Sequence, residues 1–145
     1  MNIEYKHIPL DEQIIDKLEN IRYNAYEITN QPPIKENYHY RMLQQNKYLV
    51  YGCYLNDQLV GACYISNSYN SLYIEQLFIK KQYQKTGLYL GKNLLTYILT
   101  QKDKIEKHFN TTINYSYLDS TPNSINLYKS LGYKETKNLM RKYLA

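Results

Sequence analysis

Between Lys47 and Lys80 the chain reads "KYLVYGCYL", then Asn56-Asp57, then "QLVGACYIS", then the polar cluster "NSYNS", then "LYIEQLFIK". Two apolar, β-prone runs separated by an Asn-Asp pair predict a tight hairpin, because Asn and Asp accept the left-handed backbone that such turns need. The cluster at 67–71 predicts a second turn, and residues 72–80 a third consecutive antiparallel strand. Any fold for this chain has to be built around that antiparallel unit.

The flanks read in a different period. Residues 2–8 alternate as a first strand ended by Pro9. Asp11 then stands as the cap of a helix whose apolar face is Ile14, Leu18, Ile21 and Ala25, ending near Glu27. Two prolines make 29–37 a loop, and 38–46 reads as a short second helix. After the third strand, Leu90, Leu94, Leu95, Ile98 and Leu99 keep helical spacing, which predicts a helix from about Leu88 to Thr100 or slightly beyond. Residues 111–118 alternate as a strand. In "STPNSINLYKSLGY" Ser120 or Thr121 is a candidate cap, Pro122 falls in the first helical turn, and Gly132 stops the helix. The tail 133–144 is a last strand. The order β-α-α-β-β-β-α-β-α-β, free of repeats and linkers, implies an α/β fold: a mixed, mostly antiparallel central sheet flanked by helices. At 145 residues it fits one domain, residues 1–145, with one cleft.

Composition narrows the function classes. Eighteen Lys and Arg against thirteen Asp and Glu give a formal charge of +5, suited to a phosphorylated partner but below the density of a dedicated nucleic-acid binder. The 19 tyrosines, with no tryptophan, read as compositional drift, most of them doing apolar work. Cys53 and Cys63 lie in apolar runs without CxxC spacing, so they read as reduced core residues and no metal is expected. The N-terminus has no basic-then-apolar leader, and no apolar run approaches the ~18 residues of a membrane span, so a cytoplasmic protein without membrane contact is expected.

The chemistry concentrates in "QKTGLYLGKNLL", residues 84–95. A phosphate-gripping loop needs free amides at a helix start, glycines that let the backbone come close, and a cation nearby. Gly87 and Gly91 flank the expected helix start, with Lys80, Lys81, Lys85 and Lys92 close in sequence. A Walker loop is excluded by the three-residue gap between the glycines and by Asn93 after Lys92. A dinucleotide fingerprint lacks its third glycine and its parallel βαβ setting. On the loop alone, Gly87 as a turn and Gly91 as a close helix–sheet contact remain an alternative.

The loop is not isolated. "YIEQLFI" ending at Ile79, then Gln84-x-x-Gly87, then Gly91-x-x-Leu94-Leu95, and later "NSINLYKSLGY" together resemble the GNAT superfamily of N-acetyltransferases over essentially the whole chain. The first part resembles its Gln/Arg-x-x-Gly-x-Gly/Ala pyrophosphate signature, the second its Asn-x-x-Ala-x-x-x-Tyr-x-x-x-Gly-Phe segment. The match departs at Tyr89, where a small residue is usual, so the loop reads as two residues longer, and at Thr121 and Ser124, which replace Asn and Ala.

The resemblance implies acetyl-CoA as co-substrate and an amine as acceptor. The main chain of Leu77, Phe78 and Ile79 would pair with the pantetheine arm as an added strand. Residues Gln84, Lys85, Thr86, Gly87, Leu88, Tyr89, Gly91 and Lys92 would receive the pyrophosphate, and Asn123 would supply the polar contact displaced from position 121. Tyr128 would protonate the departing thiolate, and Glu75 would draw the proton from the amine through water. As residues alone, Glu75 reads equally as an exposed strand residue and Tyr128 as a packed helix residue. The segment 22–41, with Tyr23, Tyr26, Glu27, Glu36, Tyr38 and Tyr40, reads as an aromatic, partly acidic wall for a cationic amine or as a solvated helix pair. His7, His39 and His108 are scattered and read as surface or packing residues. A homodimer is compatible with the sequence. Two other classes remain: a basic Tyr-rich nucleic-acid-binding module, disfavoured because its tyrosines are spread through core strands, and a coenzyme-binding protein of this fold without catalysis.

Overall fold

The meander forms the centre of the sheet. In the computed structural model, which describes residues 1–29, 32–122, 124–136 and 139–144, its strands are β2 (Leu49–Leu55), β3 (Gln58–Ser68) and β4 (Ser71–Ile79). Asn56 and Asp57 both take left-handed backbone, φ 49° and 67°, as the two-residue hairpin requires. β1 (Ile3–His7) pairs antiparallel with β2. On the other side stand β5 (Tyr115–Leu118), β6 (Lys134–Glu135) and β7 (Met140–Tyr143). The seven strands run in the order β1-β2-β3-β4-β5-β7-β6, with β4/β5 the parallel pair.

One face of the sheet is covered by α1 (Glu12–Tyr26) and α2 (Tyr38–Gln44). Leu18 and Ile21 of α1 and Leu43 of α2 pack there on Val50, Tyr64 and Phe78. The other face is covered by α3 (Leu90–Thr100) and α4 (Lys102–Phe109), whose Leu94, Leu95, Ile98 and Ile105 pack on Cys53, Cys63, Ile65 and Ile74. Both cysteines are thus buried free thiols, as read. α5 (Ile125–Ser130) lies beside them, its Ile125 and Tyr128, and Leu131 just after it, against the same core.

The fold class follows the sequence reading, and the element order does so with five corrections. The helix expected to end near Thr100 does end there, but a further, unexpected helix follows: Gln101, at φ −95° and ψ 16°, ends α3 and begins α4. α4 carries one fully buried anchor, Ile105, too little apolar signal for periodicity to register. α3 begins at Leu90 because Tyr89 is left-handed, φ 51°. α5 begins at Ile125, three residues past Pro122, since Thr121 and Ser124 bond each other in a turn instead. The tail is a hairpin of two strands, the longer inserted between β5 and β6, because Thr136 turns back on the Leu139 carbonyl. β5 is also shorter than residues 111–118: the Ile113 amide donates to Glu106 Oε2 at 2.7 Å and so leaves the ladder.

Candidate active site

β4 has two different edges. Against β3 it pairs along its length, from Ser68↔Ser71 to Gly61↔Ile79. Against β5 the ladder covers only Ser71–Ile74, opposite Tyr115–Leu118, and residues 75–79 run on past the end of β5. The Lys80 amide donates to Val60 O at 2.8 Å. Antiparallel pairing alternates every residue, so Leu77 and Ile79 turn their main-chain groups away from β3 and into this gap. Both carbonyls are covered by side chains: Tyr26 OH donates to Leu77 O at 2.6 Å, and Gln84 Nε2 to Ile79 O at 2.7 Å. No described side chain or loop carbonyl accepts from either amide. The gap therefore offers donors to an extended ligand, which makes β4 an edge open to strand-like addition.

A bulge sets the head of the gap. Tyr64 pairs with Gln76 and Ile65 with Ile74, so Glu75 is the extra residue on β4. Bulges re-aim side chains, and here the Glu75 carboxylate accepts from Ser66 Oγ at 2.5 Å on the α1/α2 side of the sheet. Beside it Tyr73 OH donates to Asp119 Oδ2 at 2.9 Å, and burial together with that bond pushes the Tyr73 hydroxyl up to about 12. Glu75 takes part in no ion pair among the described residues.

The foot of the gap is the loop expected to hold phosphate. Lys85, Gly87 and Tyr89 are all left-handed, at φ 55°, 82° and 51°. Left-handed backbone is costly for a side-chain-bearing residue and is held in place at sites that use it. Tyr89 begins α3 without a capping side chain, so the first amides of the helix have no partner in their own element. A cleft of about 230 Å³ opens over them, lined by Ile79, Gln84, Lys85, Gly91 and Lys92, with Leu127 of α5 as the opposite wall. Gly87 is needed for its positive φ, since a Cβ there would meet nothing within 4 Å. A Cβ on Gly91 would lie 3.7 Å from Ile79 Cγ1, an ordinary contact, so close helix–sheet packing does not demand a glycine there.

Tyr128 stands on α5, packed against the α3/α4 core, its ring 6.1 Å from that of Tyr133 in a T-shaped pair. Burial, with Tyr26 and Cys63 nearby, pushes its hydroxyl up to about 12, so it carries its proton at neutral pH. Among the described residues this hydroxyl has no hydrogen-bond partner.

The structure puts Glu75, Leu77 and Ile79 on one strand and joins Ile79 to the 84–92 loop in one cleft, with Tyr128 near Tyr26 and Cys63 and Phe78 turned the other way into the α1/α2 core. Gln84 is bound to main-chain carbonyls, so its side chain is a brace within the cleft wall. Asn123 lies outside the described residues. Of the segment 22–41, Tyr40 is buried at 1 % exposure with its hydroxyl on Asp16 Oδ1, and Tyr23 holds Pro32 O, so neither faces a ligand; Tyr38 is exposed, as is Glu36. Glu27 is paired with Lys81.

Sequence reasoning missed the buried network behind this wall. Arg22 clasps Glu19 through Nε and Nη2 at 2.8 and 2.9 Å; Glu19 also accepts from Tyr64 OH at 2.7 Å, and Arg22 donates to Asn37 Oδ1 at 3.1 Å. His39, read as scattered, joins it: its backbone amide donates to Asn37 Oδ1, and its Nδ1 meets Tyr48 OH at 2.8 Å. A Glu and an Arg three apart, between Leu18 and Ala25 on the apolar stripe of α1, were the available signal.

Comparison with known proteins places this geometry. The chain matches no curated protein sequence. Among solved structures it superposes on PaiA N-acetyltransferase of Thermoplasma acidophilum in complex with coenzyme A, with a TM-score of 0.70 at 20% identity, covering 99% of each chain. A GNAT-family acetyltransferase of Staphylococcus aureus gives 0.70 at 17% identity over 99% of this chain and 100% of that one. A ribosomal-protein-alanine N-acetyltransferase of Escherichia coli gives 0.70 at 16% identity over 98% and 95%. These likenesses show the fold. Residues 17–142 match the model of the acetyltransferase (GNAT) domain, and with that the chain belongs to the GNAT acetyltransferase family.

Proposed function

We propose that this protein moves an acetyl group from acetyl-CoA to the nitrogen of an amine, by direct attack while both substrates are bound. The observation that carries the reading is the continuous open path along β4. It begins at the bulged Glu75, runs past the unmet amides of Leu77 and Ile79, and ends on the uncapped start of α3. The pantetheine arm would present carbonyls to those amides. The pyrophosphate would lie on the loop amides and the positive helix end, worth about 0.3–1 kcal/mol from the dipole alone, with Lys85 and Lys92 as counter-charges.

Each remaining group then has one proton to handle. The amine must lose its proton to attack the thioester carbonyl, and Glu75 takes it through water. The tetrahedral adduct, whose nitrogen gives up its extra proton to water, collapses with cleavage of the carbon–sulfur bond; the departing thiolate takes the proton of Tyr128, which regains one from solvent. A hydroxyl raised to about 12 keeps its proton at neutral pH, so Tyr128 is in its proton-bearing form when the thiolate departs. The acceptor is a small amine in this reading; the structural neighbours, one of which acts on a protein alanine, do not fix its class.

The test is a thermal shift with acetyl-CoA followed by thiol release across a panel of amines. At ~100 times Kd the ligand stabilises by about 2.7 kcal/mol, a readily measured shift. A shift with amine-dependent release is expected, and no shift with any acyl-CoA contradicts the proposal.

A further inference from the structure

The two carbonyls facing the β4 gap are not equally fixed. Gln84 leaves from the loop just after β4 and holds both Ile79 O and, at 3.3 Å, Ala25 O. Tyr26 is the last residue of α1, and its side chain is 49% exposed although its hydroxyl reaches Leu77 O. Glu27, next along, is left-handed at φ 51° and turns the chain out of the helix, so Tyr26 stands at the hinge between α1 and the loop leading to α2. The same corner is tied to the end of β4 by the Lys81 amide on Asn24 Oδ1 at 3.3 Å and by the Lys81–Glu27 ion pair.

The geometry points to Tyr26 as a further positioning residue of the coenzyme site: its hydroxyl is a displaceable cap that occupies the Leu77 carbonyl until the coenzyme arm replaces it. The inference rests on the acetyl-CoA reading above. A strand-like ligand in this gap needs acceptors as well as donors from β4. Among the described residues the amides of Leu77 and Ile79 are unmet, whereas the Leu77 and Ile79 carbonyls are each bonded to a side chain. An N–H of the incoming arm therefore has to displace a hydroxyl or an amide. Tyr26 is the group with solvent to move into, and swinging it out frees the last turn of α1 at the end of β4. The cap also shields an exposed β-edge from mispairing while no coenzyme is bound.

The tests are the affinity of Tyr26→Phe for acetyl-CoA by calorimetry and amide hydrogen exchange of the wild-type protein with and without it. Phenylalanine keeps the ring against Phe78, 6.5 Å away between centroids, and removes only the competing bond. The expected result is acetyl-CoA binding about two- to tenfold tighter than wild type, the range that one ordinary hydrogen bond spans. In exchange, acetyl-CoA is expected to protect residues 85–92 while residues 26–28 exchange faster. Unchanged or weaker binding by the variant, or protection at 26–28, overturns the inference. A merely structural tyrosine would lower the melting temperature and leave the affinity where it was. If neither protein binds acetyl-CoA, the family reading of the site fails with it; if both bind alike, the cap alone fails.

Discussion

The first and third helices begin in opposite ways. α1 opens on Asp11 in extended backbone, its carboxylate accepting from the Ile14 amide at 2.8 Å. α3 opens on Tyr89 in left-handed backbone, with no side chain on its amides. The contrast continues inward. α1 carries a buried Glu19–Arg22 pair with Tyr64 and Asn37 as further partners, whereas α3 buries only Leu90, Leu94, Leu95 and Ile98. A helix whose polar groups are all answered by the protein is scaffold. A helix whose first amides are unanswered, beside a cleft and two lysines, is arranged for something outside the chain.

The largest effect should come from breaking the satisfied side. Glu19→Ala leaves the Arg22 guanidinium, 5% exposed, with Asn37 as its remaining partner, and is expected to cost about 3–5 kcal/mol in urea unfolding. A loss below about 1 kcal/mol would show that the network is not closed as described.

Tyr128→Phe acts on the open side. It should lower turnover by about 10²-fold or more, with acetyl-CoA affinity nearly unchanged; equal turnover would remove Tyr128 as the acid. The pH dependence carries the sign. Folding raises the Tyr128 hydroxyl to about 12 from the usual 10, so the proton-bearing form persists and no alkaline loss of turnover from this group is expected below about pH 10. The stability tied to keeping this phenol neutral is complete below pH 10 and drains away as pH rises through about 12.

Smaller effects come from the helix starts themselves. Asp11→Ala should cost about 1 kcal/mol of stability and leave acetyl-CoA binding alone. Gly91→Ala should do the reverse. It gains up to about 1 kcal/mol in helix propensity, because the methyl fits beside Ile79, and it weakens acetyl-CoA binding by crowding the amides of the cleft. If Gly91→Ala binds the coenzyme as tightly as wild type, the bare backbone at that position is not part of the phosphate site.

The contrast between the two helix starts was only half legible in the sequence. Asp11 announces itself, since an Asp before an apolar stripe is a capping signal, and the Asn-Asp hairpin is equally local. The loop 84–92 could be recognised as a phosphate candidate, but not its conformation: nothing in "GLYLG" says that Tyr89, with its Cβ cost, takes the left-handed position and delays the helix to Leu90. Glu75 could be named as a carboxylate on the right strand, yet that it is the bulged residue depends on register across β3, a pairing property with no trace in β4 alone. Tyr26 could be named in a wall for an amine, but not as a partner of β4. Its bond to Leu77 spans 51 positions, and only the packing of α1 over the end of β4 creates it.

The most direct test of the account is a backbone-amide NMR titration of the protein with acetyl-CoA. The account predicts that the largest shifts fall on Leu77, Ile79 and residues 85–92, with the Ile14 amide under Asp11 unmoved. Shifts that spare the β4 edge and the start of α3, or that concentrate on β6 and β7, would contradict it.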